Sequence, residues 1–297
     1  MELTPQPEAI SPAEVDWNLV RRSAFLIHQR FTYEYPAPIR DLRHRLMVIP
    51  PATFGDQRRT SYRLVLPEPA EVVTNTDSFG NIVVDVRIPV VERAVEFEAW
   101  VGIERSGLPA PRLLAGSWLD DPRLLSASER TLPDHDLTRA AAALAGHGAQ
   151  GLELAELANA WVYNAMAYGF GVTDVHTTAA QALAAGGGVC QDYAHVMIAI
   201  CRLLGLPALY VSGHLLGEGG THAWVEVLLP AADGSGGAEA WPFDPTHGRR
   251  AGMTYVTVAV GRDYGDVAPA SGSYRAAYRG SLSARKQVLL TEVAYSD

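Results

Sequence analysis

The sequence predicts an α+β protein in which an all-β, sandwich-like region comes first and a second region of helices followed by an antiparallel sheet comes after it. Between residues 22 and 105, short apolar or alternating runs are broken by turn residues, which is the pattern of a β-sandwich. From about residue 136 the apolar spacing becomes helical, and from residue 208 alternating runs return. Helices grouped before strands indicate α+β rather than alternating α/β architecture.

The length of 297 residues suggests about two domains. We place a β-rich domain at 1–110, a connecting segment at 111–133 and a second domain at 134–297. The connecting segment and its border are marked by prolines, which interrupt periodic structure. These are Pro109, Pro111, Pro122 and Pro133.

In the first region the sequence predicts five strands, with a turn at 77–81 whose Asp, Ser, Gly and Asn residues are typical of tight reversals. The predicted strands are 24–35, 42–49, 60–66, 82–88 and 95–103. No cluster of catalytic side chains is visible here. We therefore interpret this region as a scaffold that packs on the second domain and shapes its cleft.

In the second region, helical spacing predicts helices that lead up to the three glycines at 186–188. The predicted helices are 136–145, 152–167 and 178–185. A buried helix then begins at Cys190 and ends at the stop signal formed by Gly205 and Pro207. Strands follow at 208–215 and 222–229, and 253–260 and 287–295 are interpreted as closing strands of the same sheet.

Composition excludes several classes of protein. The chain has 24 basic and 33 acidic residues, a net charge of −9 and no basic cluster, so nucleic acid is not expected as a partner. No apolar run is long enough to predict a membrane span, and the first twenty residues do not resemble a secretory signal. Two cysteines cannot form a disulfide framework, and we expect a cytoplasmic protein.

The candidate nucleophile is Cys190. The glycines before it form a loop able to adopt unusual backbone angles, and the predicted helix places its thiol at a helix N-terminus. Free N–H groups and the positive end of the helix dipole favour an anion there, and therefore the reactive thiolate. Cys201, in the apolar body of the same helix, is interpreted as a small buried residue.

A base and an orienting carboxylate follow along the chain. His222 begins an alternating strand, and Asp244 lies on the next short extended segment. A helix-borne Cys, a strand-borne His and a carboxylate one strand later provide the nucleophile, base and orienting group that covalent acyl transfer requires. Asp244 could alternatively be an ordinary turn residue before Pro245.

These stretches together resemble the transglutaminase-like superfamily of papain-like thiol enzymes. The matching pieces, in order, are Gly188-Val-Cys-Gln-Asp-Tyr-Ala-His195, Gly205-Leu-Pro207, His222-Ala-Trp-Val-Glu226, Phe243-Asp-Pro-Thr246 and Gly261-Arg-Asp-Tyr-Gly-Asp266. The resemblance implies that Cys190 is the nucleophile, His222 the general base and acid, and Asp244 the group that orients the imidazole. The first region also resembles the β-rich N-terminal region that bacterial transglutaminase-like proteins often carry.

What the resemblance implies for function is cleavage of an amide or isopeptide bond in a peptide or protein through a thioester. Water or an amine can resolve that intermediate, so the protein could be a peptidase or amidase, or a protein-glutamine transglutaminase. Hydrolysis is preferred because no dedicated amine-binding domain or calcium loop is visible. A non-catalytic scaffold of the same fold is the alternative of another class, which the presence of all three candidate residues disfavours. The second oxyanion donor is left open among Tyr168, Trp161 and Gln181.

No cofactor or metal is expected. Zinc ligands usually occur as closely spaced pairs, and the remaining histidines show no such spacing. They include His176, His195, His214 and His247. His195, five positions after Cys190, points away from it on the helix and is interpreted as structural. Asp192 is interpreted as an ordinary acidic residue of a first helical turn, although it is close enough to the thiol for an electrostatic role.

Overall fold

The computed structural model describes residues 9–107 and 110–295, and its strands begin with a continuous β region. Two sheets form a sandwich around side chains contributed by both, including Phe31, Leu42, Val86 and Phe97. The seven strands of this region are β1 (Val20–Glu34), β2 (Ile39–Leu46), β3 (Thr53–Phe54), β4 (Gln57–Val65), β5 (Glu71–Thr76), β6 (Ile82–Val91) and β7 (Ala94–Ser106).

The five predicted strands correspond to β1, β2, β4, β6 and β7, whereas β3 and β5 were not predicted. All six residues of β5 are exposed, so its sequence has no buried face to create an alternating pattern. The predicted turn at 77–81 joins β5 to β6. The Asp77 carboxylate accepts hydrogen bonds from the backbone N–H groups of Phe79 and Asn81.

The remaining elements contain the helices and a third sheet. They are β8 (Arg112–Leu114), α1 (Pro122–Leu125), α2 (His135–Ala145), α3 (Gly151–Ala165), β9 (Ala167–Tyr168), α4 (Ala179–Ala185), β10 (Gly187–Gly188), α5 (Cys190–Leu203), β11 (Ala208–Leu215), β12 (His222–Pro230), β13 (Ala238–Asp244), β14 (Arg249–Arg250), β15 (Tyr255–Gly261), α6 (Tyr264–Val267), β16 (Ala270–Arg275) and β17 (Ser281–Tyr295). The α+β class predicted from sequence is therefore the class of the structure.

Two of the predicted helices begin at side chains that satisfy free backbone donors. Asp134 accepts from the N–H of Leu137 at the start of α2, and Thr178 forms a capping box with Gln181 at the start of α4. Helix α5 lies at the centre of the helical layer, and every residue from 191 to 202 is buried. Within the two described ranges, no helix has the length and apolar character needed to cross a membrane.

The third sheet has the strand order β14-β13-β12-β11-β15, with β8 paired to β13. Helices α2 to α5 cover one face, while residues such as Trp118, Leu124 and Phe79 cover the other. Both faces are therefore covered, and all eight residues of β11 are buried. The segment predicted as a connection is part of this cover, since β8 extends the sheet and Leu124 is fully buried.

One predicted strand assignment is wrong. Residues 287–295 belong to β17, which pairs antiparallel with β1 in the sandwich instead of closing the third sheet. Strand β16 likewise pairs with β2, so the sheets divide the chain differently from the predicted second domain at 134–297. The apolar alternation of 287–295 specifies a strand but not its partner, because pairing across the whole chain length leaves no local signal.

The outer edge of β15 is closed by side chains from the first region. The Gln57 amide donates to the carbonyl of Thr257 and accepts from its N–H, at 2.8 and 2.9 Å. Asn81 makes the same pair of bonds with Val260, at 2.7 and 2.8 Å. These amides replace a neighbouring strand and satisfy backbone groups that would otherwise be buried without partners. They also fix the two regions against each other.

We predict that Asn81→Ala lowers the free energy of unfolding by about 2 kcal/mol or more, because a buried unpaired backbone group costs about 1–3 kcal/mol. Urea unfolding of the purified protein measures this change. Asn75→Ala, in the exposed strand β5, is the matched control and should change stability by less than about 0.5 kcal/mol. Equal effects of the two substitutions would show that the amide pairing does not hold the regions together.

Candidate active site

The loop before α5 is built by backbone contacts that only glycine permits. Gly186 has a φ of 65° and ends α4 in the left-handed conformation. Gly187 and Gly188 form the two-residue strand β10, which pairs in parallel with Ala167 and Tyr168. A Cβ on Gly188 would overlap the carboxylate of Asp192. The sequence predicted unusual backbone angles for these glycines, but Gly188 is required because the Asp192 carboxylate lies too close to its backbone for a side chain.

Cys190 is the first residue of α5, as predicted, and it is partly exposed. Asp192 fixes the chain on both sides of it, because its Oδ2 accepts from the N–H of Val189 at 2.8 Å and from the hydroxyl of Thr173 at 2.6 Å. The carboxylate is almost fully buried, and burial raises its pKa. Asp192 therefore holds the loop and the helix start, a structural role that keeps the thiol at the end of the helix.

His222 begins β12 and lies in the same cleft as Cys190. Its Nε2 is 2.8 Å from Oδ2 of Asp244, which leaves Nδ1 as the nitrogen on the other side of the ring. Burial by itself lowers the pKa of His222, but hydrogen bonding with Asp244, Cys190 and Glu218 outweighs it and raises the pKa above its ordinary value. The site therefore favours the imidazolium, which is the form that stabilises a neighbouring thiolate.

Asp244 is fully buried at the end of β13 and receives several hydrogen bonds. Its Oδ2 is 2.8 Å from Nε2 of His222, 2.8 Å from Nδ1 of His247, and 2.6 Å from the hydroxyl of Tyr255, which donates to it. Its Oδ1 accepts from the N–H of Thr246. Burial favours the neutral acid, but these hydrogen bonds hold the pKa of Asp244 well below its usual range. The structure thus brings all three predicted site residues together.

Three further residues complete this network and were not predicted: Tyr255, His247 and Glu218. The carboxylate of Glu218 lies 3.2 Å from Nδ1 of His222 and 3.4 Å from Nε2 of His247. The two imidazoles and the carboxylates of Asp244 and Glu218 therefore form a closed ring of four. Glu218 comes from the glycine-rich turn between β11 and β12. In the sequence, Glu218 is distinguished only as the single charged residue of that turn.

The His222, Asp244 and His247 donor atoms all lie within 4.8 Å of one another. The hydrogen bonds just described account for this proximity. His195 and His214 lie elsewhere and are buried, which lowers their pKa values to about 3 and about 4. His195 Nε2 accepts from the N–H of Tyr264, in agreement with its predicted structural role. His176 is exposed.

The cleft that contains Cys190 and His222 has a volume of about 630 Å³. Its walls are largely aromatic or apolar, and they include Tyr168, Phe170, Val175, Tyr210 and Tyr264. Of the three candidates for the second oxyanion donor, Tyr168 lines the cleft. Trp161 packs against the helical core, and Gln181 caps α4, so neither is placed to meet a substrate.

Comparisons with known proteins give the following matches. Residues 138–245 match the transglutaminase-like superfamily, and residues 25–104 match the bacterial transglutaminase-like N-terminal region. An uncharacterized protein of Mycobacterium leprae is 37% identical over 45% of this chain and 48% of its own length. The aligned part thus spans about half of that relative. An uncharacterized protein of Mycobacterium tuberculosis is 32% identical over 73% of this chain and 76% of its own.

The fold is also similar to a crystal structure from Cytophaga hutchinsonii, of a protein provisionally named a cysteine protease. The similarity covers 93% of both chains, with a TM-score of 0.74 and 21% sequence identity. At that level of identity the comparison establishes a shared fold. Its extent includes both the sandwich and the helical region that carries the cleft.

We predict that iodoacetamide labels Cys190 rapidly in the native protein and spares Cys201. Cys190 is partly exposed beside His222, whereas Cys201 is fully buried and burial raises its pKa to about 12. Peptide mapping after timed alkylation at neutral pH measures both rates. The two thiols should react alike only after unfolding in urea. Equal rates in the native protein would contradict the assignment of Cys190 as the reactive thiol.

Proposed function

Because the chain belongs to the transglutaminase-like superfamily, we propose that it is a thiol-dependent hydrolase that cleaves an amide or isopeptide bond in a peptide or protein. The observation that carries this proposal is that Cys190 and His222 line one open cleft, while the buried Asp244 carboxylate is 2.8 Å from Nε2 of His222. The proposed compartment is the cytoplasm, since a free nucleophilic thiol persists in reducing surroundings.

In the proposed mechanism His222 removes the proton of Cys190, and the thiolate attacks the carbonyl carbon of the substrate. The helix position supports this step, because the free N–H groups at the start of α5 stabilise negative charge on the sulfur and on the oxyanion. The tetrahedral intermediate collapses to a thioester as His222 protonates the leaving amine. Water then attacks the thioester and regenerates the thiol.

Asp244 acts through His222 in this mechanism. Its bond to Nε2 fixes the ring so that Nδ1 faces the cleft, and its charge stabilises the imidazolium. Tyr255 and His247 hold the carboxylate from two other directions. Because the carboxylate has no exposed surface, its orientation is set entirely by these partners.

The first test separates hydrolysis from amine transfer. Wild-type protein is incubated with glutamine-containing, isopeptide and simple amide peptides, with and without an excess of a primary amine, and the products are identified by mass spectrometry. We expect free acid as the main product and none with Cys190→Ala. Dominant incorporation of the amine would make the protein a transglutaminase instead. Full activity of Cys190→Ala would contradict the thiol mechanism.

We further predict that Asp244→Asn lowers kcat by about 100-fold or more, since positioned general acid–base catalysis contributes about 10²–10⁴-fold. The alkaline limb of the kcat/KM profile should also move to lower pH. The reason is that Asp244 helps to raise the pKa of His222, and without the charge the imidazolium loses its proton at lower pH. Asp134→Asn, at the N-terminus of α2, is the control for a carboxylate lost elsewhere. If turnover and the pH profile of kcat/KM were unchanged in Asp244→Asn, Asp244 would be only a turn residue without a role in the reaction.

A further inference from the structure

Glu218 places a carboxylate in the catalytic cleft that the proposed mechanism does not use. It lies in the turn between β11 and β12 and lines the same cleft as Cys190. One of its oxygens is 3.2 Å from Nδ1 of His222 and the other is 3.4 Å from Nε2 of His247, while its side chain keeps 39% of its surface exposed. The group is therefore both in contact with the catalytic base and open to a ligand in the cleft.

The surroundings of Glu218 favour a cation. Among the residues that line the cleft, all within the described ranges, it is the one Asp or Glu, and the walls beside it include the rings of Tyr168 and Phe170. Asp192 is close to Cys190 but is buried, and its Oδ2 accepts hydrogen bonds from Val189 and Thr173. The basic side chains beside the turn are His247, whose Nε2 is 3.4 Å from Glu218, and Lys286 of β17, which donates to the hydroxyl of Thr221.

We propose that Glu218 is a specificity-determining residue that binds a cationic group on the amine side of the scissile amide bond. This inference rests on the proposed function. The geometry indicates which side of the scissile bond lies near Glu218. Nδ1 of His222 faces the cleft and has to protonate the leaving amine. The Glu218 carboxylate lies against that same nitrogen. A positively charged group elsewhere on the amine portion of the substrate therefore comes within reach of Glu218.

The contact between Glu218 and Nδ1 of His222 links substrate binding to activation of the base. Asp244 engages Nε2 of His222, so Nδ1 is the nitrogen left for the thiol, and the Glu218 carboxylate beside it competes with the thiol for Nδ1. A cation that pairs with Glu218 draws the carboxylate from Nδ1 and leaves that nitrogen to the thiol. A neutral substrate provides no such exchange. The preferred substrates are thus amides whose amine portion carries a basic side chain, such as the amide bond before a lysine residue.

The test uses the reverse of the leaving-group step, because an amine that attacks the thioester occupies the leaving-amine site. The acyl-enzyme is formed from N-acetylphenylalanine p-nitrophenyl ester in a mixture of equal amounts of lysinamide and norleucinamide. In each case the amine nitrogen bonds to the acyl carbon, the carbon–sulfur bond breaks, and the amine proton returns through His222 to the sulfur. The ratio of the two amide products is measured by mass spectrometry after subtraction of the products formed with Cys190→Ala, which removes the uncatalysed reaction of the ester with the amines. The ratio then does not depend on the fraction of active enzyme.

We expect wild-type protein to form about tenfold more lysinamide product, as a charge-assisted hydrogen bond in a half-exposed site would give. Glu218→Gln should bring the ratio close to one, and Glu218→Lys should favour norleucinamide. Glu71→Gln, an exposed acid on β5, should keep the wild-type ratio. Added salt should lower the wild-type ratio, since it screens the charge pair.

The outcomes separate this inference from the proposed function. An acyl group found on Cys190, with a wild-type product ratio near one, would overturn the role of Glu218 and leave the thiol mechanism in place. The same conclusion would follow if Glu218→Gln kept the tenfold preference while still forming the acyl-enzyme. No burst of p-nitrophenol and no acyl group on Cys190 of the wild type would overturn the proposed function, and this inference with it.

Discussion

The burial of α5 from residue 191 to residue 202 is the constraint on which the rest of the molecule depends. Residues 191–202 are all buried, so the first turn is the place where this helix meets an open cleft. Cys190 occupies that turn, and the N-terminal end of the helix dipole supports an anion there. A helix surrounded by protein cannot shift easily, because tightly packed side chains resist displacement. The core that stabilises the fold is thus the same structure that fixes the candidate nucleophile.

Burial also forces the polar groups of this helix into defined partnerships. Arg202 donates to the carbonyls of Leu124, Ala208 and Arg262, and to the hydroxyl of Thr131. Asp192 closes the loop before Cys190 at the other end. An unpaired buried charge would cost far more than these bonds contribute, so the segments they join are held around the helix. The connecting segment and the α6 region are ordered against α5 for this reason.

The sandwich contributes to the site although none of the predicted triad lies in it. Its amides Gln57 and Asn81 close the edge of β15, the strand that also carries Tyr255. Tyr255 donates to Asp244, so the docking of the sandwich supports the carboxylate through one strand. Lys286, from the last strand of the sandwich, reaches Thr221 next to His222. The chain returns to its first sheet after building the cleft, which ties both regions into one structure.

By itself the sequence determined the α+β class and most helices and strands, and it identified Cys190, His222 and Asp244 as candidates for the site. These depend on local signals: periodicity, glycine and proline positions, caps and short motifs. The structure alone decided the partner of β17, the amide closure of β15, and the placement of Glu218, His247 and Tyr255 around the site. Each of these joins segments through a contact that no spacing rule encodes. Glu218 and His222 are near in sequence, but only the turn geometry brings the carboxylate onto the imidazole, since the path of a glycine-rich turn is set by the tertiary fold.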